Sequence, residues 1–196
     1  MAIRIDGAAL AAQIKDRVRE AAAALPRPPA LAVVLAGEDP ASQIYVRGKE
    51  RDCAQCGIAT QTHRLPAEVA QEDLLALVAS LNRDPGVDGI LVQLPLPEGL
   101  DRQAVLQAVS PEKDVDCFHP LNVGRLALGE PGFRPCTPAG ILALLDAYEI
   151  PVRGRHCVIL GRSTLVGRPL AQLLTGRDGT VTLCHSHTWA LPALTR

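Results

Sequence analysis

The chain has 196 residues, 47% hydrophobic and 21% charged, which fits one large domain or two small ones and excludes a disordered or collagenous chain. Twenty Lys and Arg balance 21 Asp and Glu, for a net charge of −1, so no general attraction to nucleic acid or an anionic membrane is expected. Aromatic residues at 3% argue against the stacking platforms that hold single-stranded nucleic acid.

From the N-terminus, Met-Ala-Ile-Arg-Ile-Asp lacks the basic-then-apolar layout of a secretory signal. The apolar runs are too short to span a bilayer. A cytoplasmic protein is therefore expected, with its six cysteines as thiols. Ala8 to Leu25 carries Leu10, Ile14, Val18 and Ala21 at helical spacing, and prolines 26, 28 and 29 end it. Ala30 to Ala36 is a continuous apolar run, the pattern of a buried parallel strand. Ser42 to Cys56 reads as a helix closed by Gly57, and Ala59 to Leu65 as a weaker strand. Leu74, Leu75, Leu77, Val78 and Leu81 give the next helix a wide apolar face. Ile90 to Leu94 is another buried strand, stopped by Pro95, and Arg102 to Val109 a short helix.

Residues 110–136 hold four Pro and three Gly and read as an irregular junction between domains. Thr137-Pro138 is an N-cap with proline at the first helical position, which predicts a helix over Ala139 to Glu149. A strand over Cys157 to Leu160, a helix over Val166 to Leu174 and a strand over Thr180 to Cys184 follow. The alternation predicts an α/β chain with a mainly parallel sheet in each half.

Cys53-x-x-Cys56 invites a zinc or redox reading, but no second pair stands at zinc spacing, and the pair lies inside a helical pattern rather than after a strand. Both are read as structural helix cysteines. The segment Val158 to Pro169 is strand, glycine turn, helix, an order that sets a positive helix end where a phosphate binds. Gly161 and Gly167 are six apart with no glycine between, so this is neither G-x-G-x-x-G nor a P-loop, and a plain tight turn is the competing reading. Arg162 and Ser163 favour a nucleotide. The next strand ends in Cys184-His185-Ser186-His187-Thr188, without the acid that an NAD site offers to ribose, which favours NADP. The two histidines lack partners at a recognisable metal spacing, and no metal is expected.

Tyr45 and Lys49 are four apart and share a helix face. A partly buried lysine serves as a proton carrier, although a solvent-facing lysine beside an interface tyrosine fits the same spacing. Gln93 interrupts an otherwise apolar strand near its C-terminal end, where α/β ligand sites form, and a buried amide needs partners. Asp114 and Asp116 lie in the junction, either as turn residues or as ligands of a small molecule bound between domains.

These motifs together resemble the bifunctional methylenetetrahydrofolate dehydrogenase/cyclohydrolase (FolD) family. The matching segments are Tyr45-Val46-x-x-Lys49, Gly89 through Pro97, Pro111-x-Lys113-Asp114-Val115-Asp116, Asn122-Val123-Gly124, Pro135-Cys136-Thr137-Pro138-x-Gly140, Gly161-Arg162-Ser163-x-x-Val166-Gly167-x-Pro169 and Thr180 through Thr188. The resemblance implies a catalytic, folate-binding domain over residues 1–118 and a Rossmann-like NADP-binding domain over 119–196. It implies oxidation of 5,10-methylenetetrahydrofolate to the methenyl compound with NADP, then hydrolysis to 10-formyltetrahydrofolate. Lys49 is implied as the central catalytic group, Tyr45 as flanking the folate ring, Gln93 as holding Lys49 and Asp116 as binding the pterin. Gly161, Arg162, Ser163 and Ser186 are implied as NADP contacts, and a homodimer as the assembly. Three departures stand out: Cys117 where the family usually has Gly, Cys53-Ala54-Gln55-Cys56 where it usually has an acid, and a chain ending at Arg196 where the family continues. The last leads us to expect an incomplete nucleotide domain and impaired dehydrogenase activity. The alternative expectation is a catalytically incompetent fragment or dimerising module that keeps the folate-side domain.

Overall fold

The apolar runs form the strands that their composition predicts. In the computed structural model, which describes residues 3–195, β1 (Ala30–Ala36), β2 (Ala59–Leu65) and β3 (Gly89–Val92) make a parallel sheet in the order β2-β1-β3. A second parallel sheet pairs β4 (His156–Leu160) with β5 (Thr180–Cys184), Leu160 opposite Cys184. The helices are α1 (Gly7–Ala23), α2 (Pro40–Gln55), α3 (Gln71–Arg83), α4 (Arg102–Ala108), α5 (Pro120–Leu128), α6 (Cys136–Ala147), α7 (Gly167–Thr175) and the short α8 (Leu191–Leu194). Among the described residues no helix is long and apolar enough to cross a membrane.

The chain divides into two units. One is Ala8–Val115; the other takes the residues up to Gly7 together with those from Asp116 onward. In the first unit, alternate residues of β1 enter different cores. Ala32 and Val34 pack with Leu74, Val78, Ile90 and Val105, under α3 and α4, while Val33 and Leu35 pack with Val46 of α2 and Leu91. That two-sided burial is why β1 reads as a continuous apolar run rather than an alternation. In the second unit Ile159 of β4 packs with Leu142 of α6 and with Leu170, Leu173 and Leu174 of α7. Leu160, the next residue along β4, is exposed. Within the same unit the Asp6 backbone N–H donates to the Tyr148 hydroxyl at 2.6 Å.

Four expectations need correction. The strand predicted over 90–94 ends at Val92. The Gln93 N–H still donates to the Val34 carbonyl at 2.9 Å, but Pro95 has no N–H to continue the ladder. The junction over 110–136 is not wholly irregular, because α5 occupies its centre. The His119 Nδ1 accepts from the Leu121 N–H at 3.1 Å, Pro120 takes the first helical position, and Gly129 closes the helix at φ +73°. Third, α6 starts at Cys136 rather than Ala139, with Pro138 inside its first turn, where the missing N–H has no intrahelical role. Fourth, Lys113 to Val115 runs beside β3: the Ile90 N–H donates to the Lys113 carbonyl at 2.7 Å, and Ile90 bridges Asp114 in parallel. Gly89 allows this approach, since a Cβ there would stand 2.6 Å from the Val115 side chain.

Candidate functional site

Helix α2 begins at Asp39, whose carboxylate accepts from the Ser42 N–H at 2.7 Å, with Pro40 at its first position. That backbone N–H holds the Asp39 carboxyl below the ordinary carboxylate range. The helix carries Tyr45, which is 65% exposed, and one turn later the half-buried Lys49. Lys49 Nζ donates to Gln93 Oε1 at 3.1 Å. Gln93 Nε2 donates in turn to the Leu94 carbonyl at 2.7 Å. The two bonds fix the amide's orientation: reversed, its NH₂ would meet an ammonium and its oxygen a carbonyl. Ser42, also buried, donates its hydroxyl to the same Leu94 carbonyl at 3.5 Å, joining the start of α2 to the segment after β3. The structure therefore brings Tyr45, Lys49 and Gln93 to one place, at the C-terminal end of β3.

Asp114 is buried beside β3, and Asp116 is half-buried where the second unit begins. Lys113 anchors this segment by donating to the Leu81 and Asp84 carbonyls at 3.0 and 2.7 Å. A lysine at a helix C-terminus satisfies carbonyls that the helix leaves open. Cys53 lies in the last turn of α2 and Cys56 caps it, its Sγ donating to the Lys15 carbonyl at 3.7 Å. Burial pushes the Cys53 thiol up from its ordinary value.

In the second unit the chain leaves β4 through Gly161, at φ +129°, whose N–H donates to the Cys184 carbonyl at 2.8 Å. The left-handed backbone there favours glycine. Gly167, which opens α7, packs so closely on Gly161 that an added Cβ would collide with the Gly161 carbonyl. Ser163 Oγ accepts from the Val166 and Gly167 N–H groups at 3.1 and 3.5 Å. Its hydroxyl hydrogen remains able to donate. Arg162 and Ser186 are exposed, at the ends of the adjacent strands β4 and β5. Desolvation first, then the Arg162 guanidinium and the His187 ring, push His185 below the ordinary imidazole value. The pairing of Leu160 with Cys184 sets Arg162 and Ser186 just past neighbouring strand ends. The turn has tight glycine packing, Arg162 and the Ser163 and Ser186 hydroxyls, and no carboxylate from 161 to 169 or from 184 to 189. Such a donor set fits a phosphate-bearing dinucleotide, its 2′-phosphate included.

Residues 5–116 match the family model described as the tetrahydrofolate dehydrogenase/cyclohydrolase catalytic domain, and residues 135–196 the one for its NAD(P)-binding domain. The chain belongs to the tetrahydrofolate dehydrogenase/cyclohydrolase family. A "Bifunctional protein FolD" from Acidiphilium cryptum is 58% identical over 189 residues, covering 96% of this chain and 68% of the relative. The crystal structure of the bifunctional enzyme FolD from Campylobacter jejuni superposes with a TM-score of 0.95 at 45% identity, over 97% of this chain and 69% of that one. The Trypanosoma brucei enzyme, solved with NADP and an inhibitor, gives 0.91 at 39% identity, over 95% of this chain and 65% of that one. This chain thus spans about two thirds of the length of these relatives. It is a folate-acting enzyme with an NAD(P)-binding domain, and the reading as an incompetent fragment is disfavoured.

Cys117 is buried and adopts φ +59°, the left-handed backbone that glycine favours. The loop keeps that conformation with a side chain in place. Sequence reasoning missed Ser42 and Lys113 as supports of the site. Ser42 carries a signal, a hydroxyl one turn before Tyr45 on the same helix, whereas the carbonyls that Lys113 reaches are distant in sequence.

Proposed function

We propose that this chain oxidises 5,10-methylenetetrahydrofolate with NADP and hydrolyses the methenyl product to 10-formyltetrahydrofolate, with Lys49 handling protons. The observation that carries this reading is the Lys49–Gln93 hydrogen bond. Gln93 occupies one of the lysine's donors and fixes its direction, leaving the others for the substrate and a water. In the hydrolysis, water adds its oxygen to the methenyl carbon and loses a proton. Ring opening then places a proton on N5 and leaves the oxygen as the formyl carbonyl. Lys49 Nζ moves these protons. Tyr45, exposed one turn earlier on α2, lies flat against the folate ring, and the Asp116 carboxylate accepts from the donors of the pterin.

When bound, NADP supplies the acceptor for the hydride that leaves the methylene carbon. Gly161 and Gly167 let the backbone close around its phosphates. Arg162, Ser163 and Ser186 select the 2′-phosphate over a free ribose hydroxyl. We place the enzyme in the cytoplasm as a homodimer, as family membership suggests. The folate-binding and nucleotide-binding domains are taken as residues 1–118 and 119–196.

The test is Lys49→Ala, assayed by the disappearance of the methenyl chromophore. Hydrolysis should fall by about 10²–10⁴-fold. Near-normal hydrolysis would remove Lys49 from the proton-handling role.

A further inference from the structure

Trp189 is the chain's sole tryptophan and is 91% exposed. Aromatic rings of this size ordinarily bury about 150–250 Å², and here nearly the whole ring is open to a ligand. The chain that follows β5 holds the backbone leading to it in a defined turn. The Thr188 N–H donates to the His185 carbonyl at 2.8 Å, and the His185 N–H donates to Thr188 Oγ1 at 2.7 Å. The His187 N–H adds a third bond, to His185 Nδ1 at 3.2 Å. Trp189 leaves this closed turn directly, followed by Ala190 at φ +54°.

The chemistry of the cofactor supplies the occupant. In NADP the 2′-phosphate and the adenine are carried by neighbouring carbons of one ribose. A phosphate held between Arg162 and Ser186 therefore brings the adenine within a ribose's width of the residues just past Ser186. Trp189 is the flat apolar surface in that stretch. We propose that the Trp189 indole stacks on the adenine of the bound dinucleotide and contributes to its affinity. The inference rests on the 2′-phosphate reading given above.

The experiment titrates the chain with 2′,5′-ADP, with 5′-ADP and with nicotinamide mononucleotide, following tryptophan emission and calorimetric heat together. Saturable quenching of Trp189 by 2′,5′-ADP, at the affinity that calorimetry gives, with no response to nicotinamide mononucleotide, is the expected result. Trp189→Ala should weaken 2′,5′-ADP by about five- to hundredfold, while Trp189→Phe keeps most of the affinity. Calorimetric binding of 2′,5′-ADP without an emission change, or with equal affinity in Trp189→Ala, would overturn the stacking and leave the phosphate reading intact. Equal affinity for 2′,5′-ADP and 5′-ADP would overturn the phosphate reading, and the placement of the adenine with it. Emission that shifts with protein concentration alone would assign the ring to self-association and overturn the proposal.

Discussion

In the first unit β1 and β3 are sealed on both faces, while β2 at the sheet edge is not: Ala32, Val33 and Val34 are each 0% exposed, and all four residues of β3 are buried. In the second unit Leu160 of β4 is 66% exposed, and Arg162, Ser163 and Ser186 all face solvent. The two regions thus position their functional groups differently. Gln93 is buried at the end of a packed strand and oriented there by its bonds to Lys49 and the Leu94 carbonyl, so the packed core carries the geometry. Around Gly161 and Gly167 the backbone carries it, and the side chains project from a fixed turn. Core substitutions should therefore be felt most in the first unit, and backbone substitutions in the second.

The sharpest test of that contrast is Gly167→Ala. The new Cβ meets the Gly161 carbonyl, so the turn must open. NADP-linked oxidation should fall by about 10²-fold, as expected of a displaced binding element, and far more than methenyl hydrolysis. Equal losses in the two assays would show that the regions do not divide the chemistry. Next in size, Leu74→Ala in the first unit, at 0% exposed, should cost about 2–5 kcal/mol. Leu173→Ala in the second, at 9% exposed, should cost less. Hydrogen exchange read separately over β1 and β4 measures both, and a larger loss at Leu173 would reverse the assignment of packing to the first unit.

Arg162→Ala sharpens the comparison at one side chain. A charge-assisted hydrogen bond contributes about 1.5–3 kcal/mol, so the KM for NADP should rise about 10–100-fold while that for NAD changes little. A parallel rise in both would mean that Arg162 does not read the phosphate. The smallest effect expected is at Asp146, which Arg177 holds in a bidentate pair at 2.5 and 2.8 Å. The hydrogen bond from Arg177 holds the Asp146 carboxyl below its ordinary carboxylate value, outweighing desolvation. The folded state therefore binds this proton less readily than the unfolded state. The stabilisation is complete above that value and is lost as pH falls through the lowered one. The pair is largely exposed, so it contributes about 0–1 kcal/mol. Urea midpoints of the parent and Asp146→Asn should differ slightly at neutral pH and converge in acid; divergence in acid would contradict the lowered pKa.

The parts of this molecule legible in the sequence were those that a local pattern encodes. The apolar run Ala30 to Ala36 announces a strand buried on both faces, and Gln93 stands out because an amide inside such a run must be bonded. The strand–glycine–helix order at Gly161 was equally plain. Helix α5 was hidden because Pro and Gly density reads as loop, although His119-Pro120 and Gly129 are a start and a stop signal for a helix. Other features depend on groups remote in sequence: the reach of the Ser42 hydroxyl to the Leu94 carbonyl, and the hold of Lys113 on the end of α3. No window of residues contains both ends of those bonds. The value of Gly167 also became visible only once its approach to Gly161 was known.

The left-handed backbone at Cys117 bears on which replacements mutation can sample there. Cysteine and glycine codons are one base apart, so drift between the two is a single step, and the backbone accepts either residue. The other single-base neighbours of a cysteine codon are Ser, Arg, Tyr, Phe and Trp. The four larger ones would need space that a residue 1% exposed does not have, and all five carry a Cβ into a conformation that disfavours it. Position 117 is thus a narrow corridor in which glycine is tolerated more readily than the other single-base replacements.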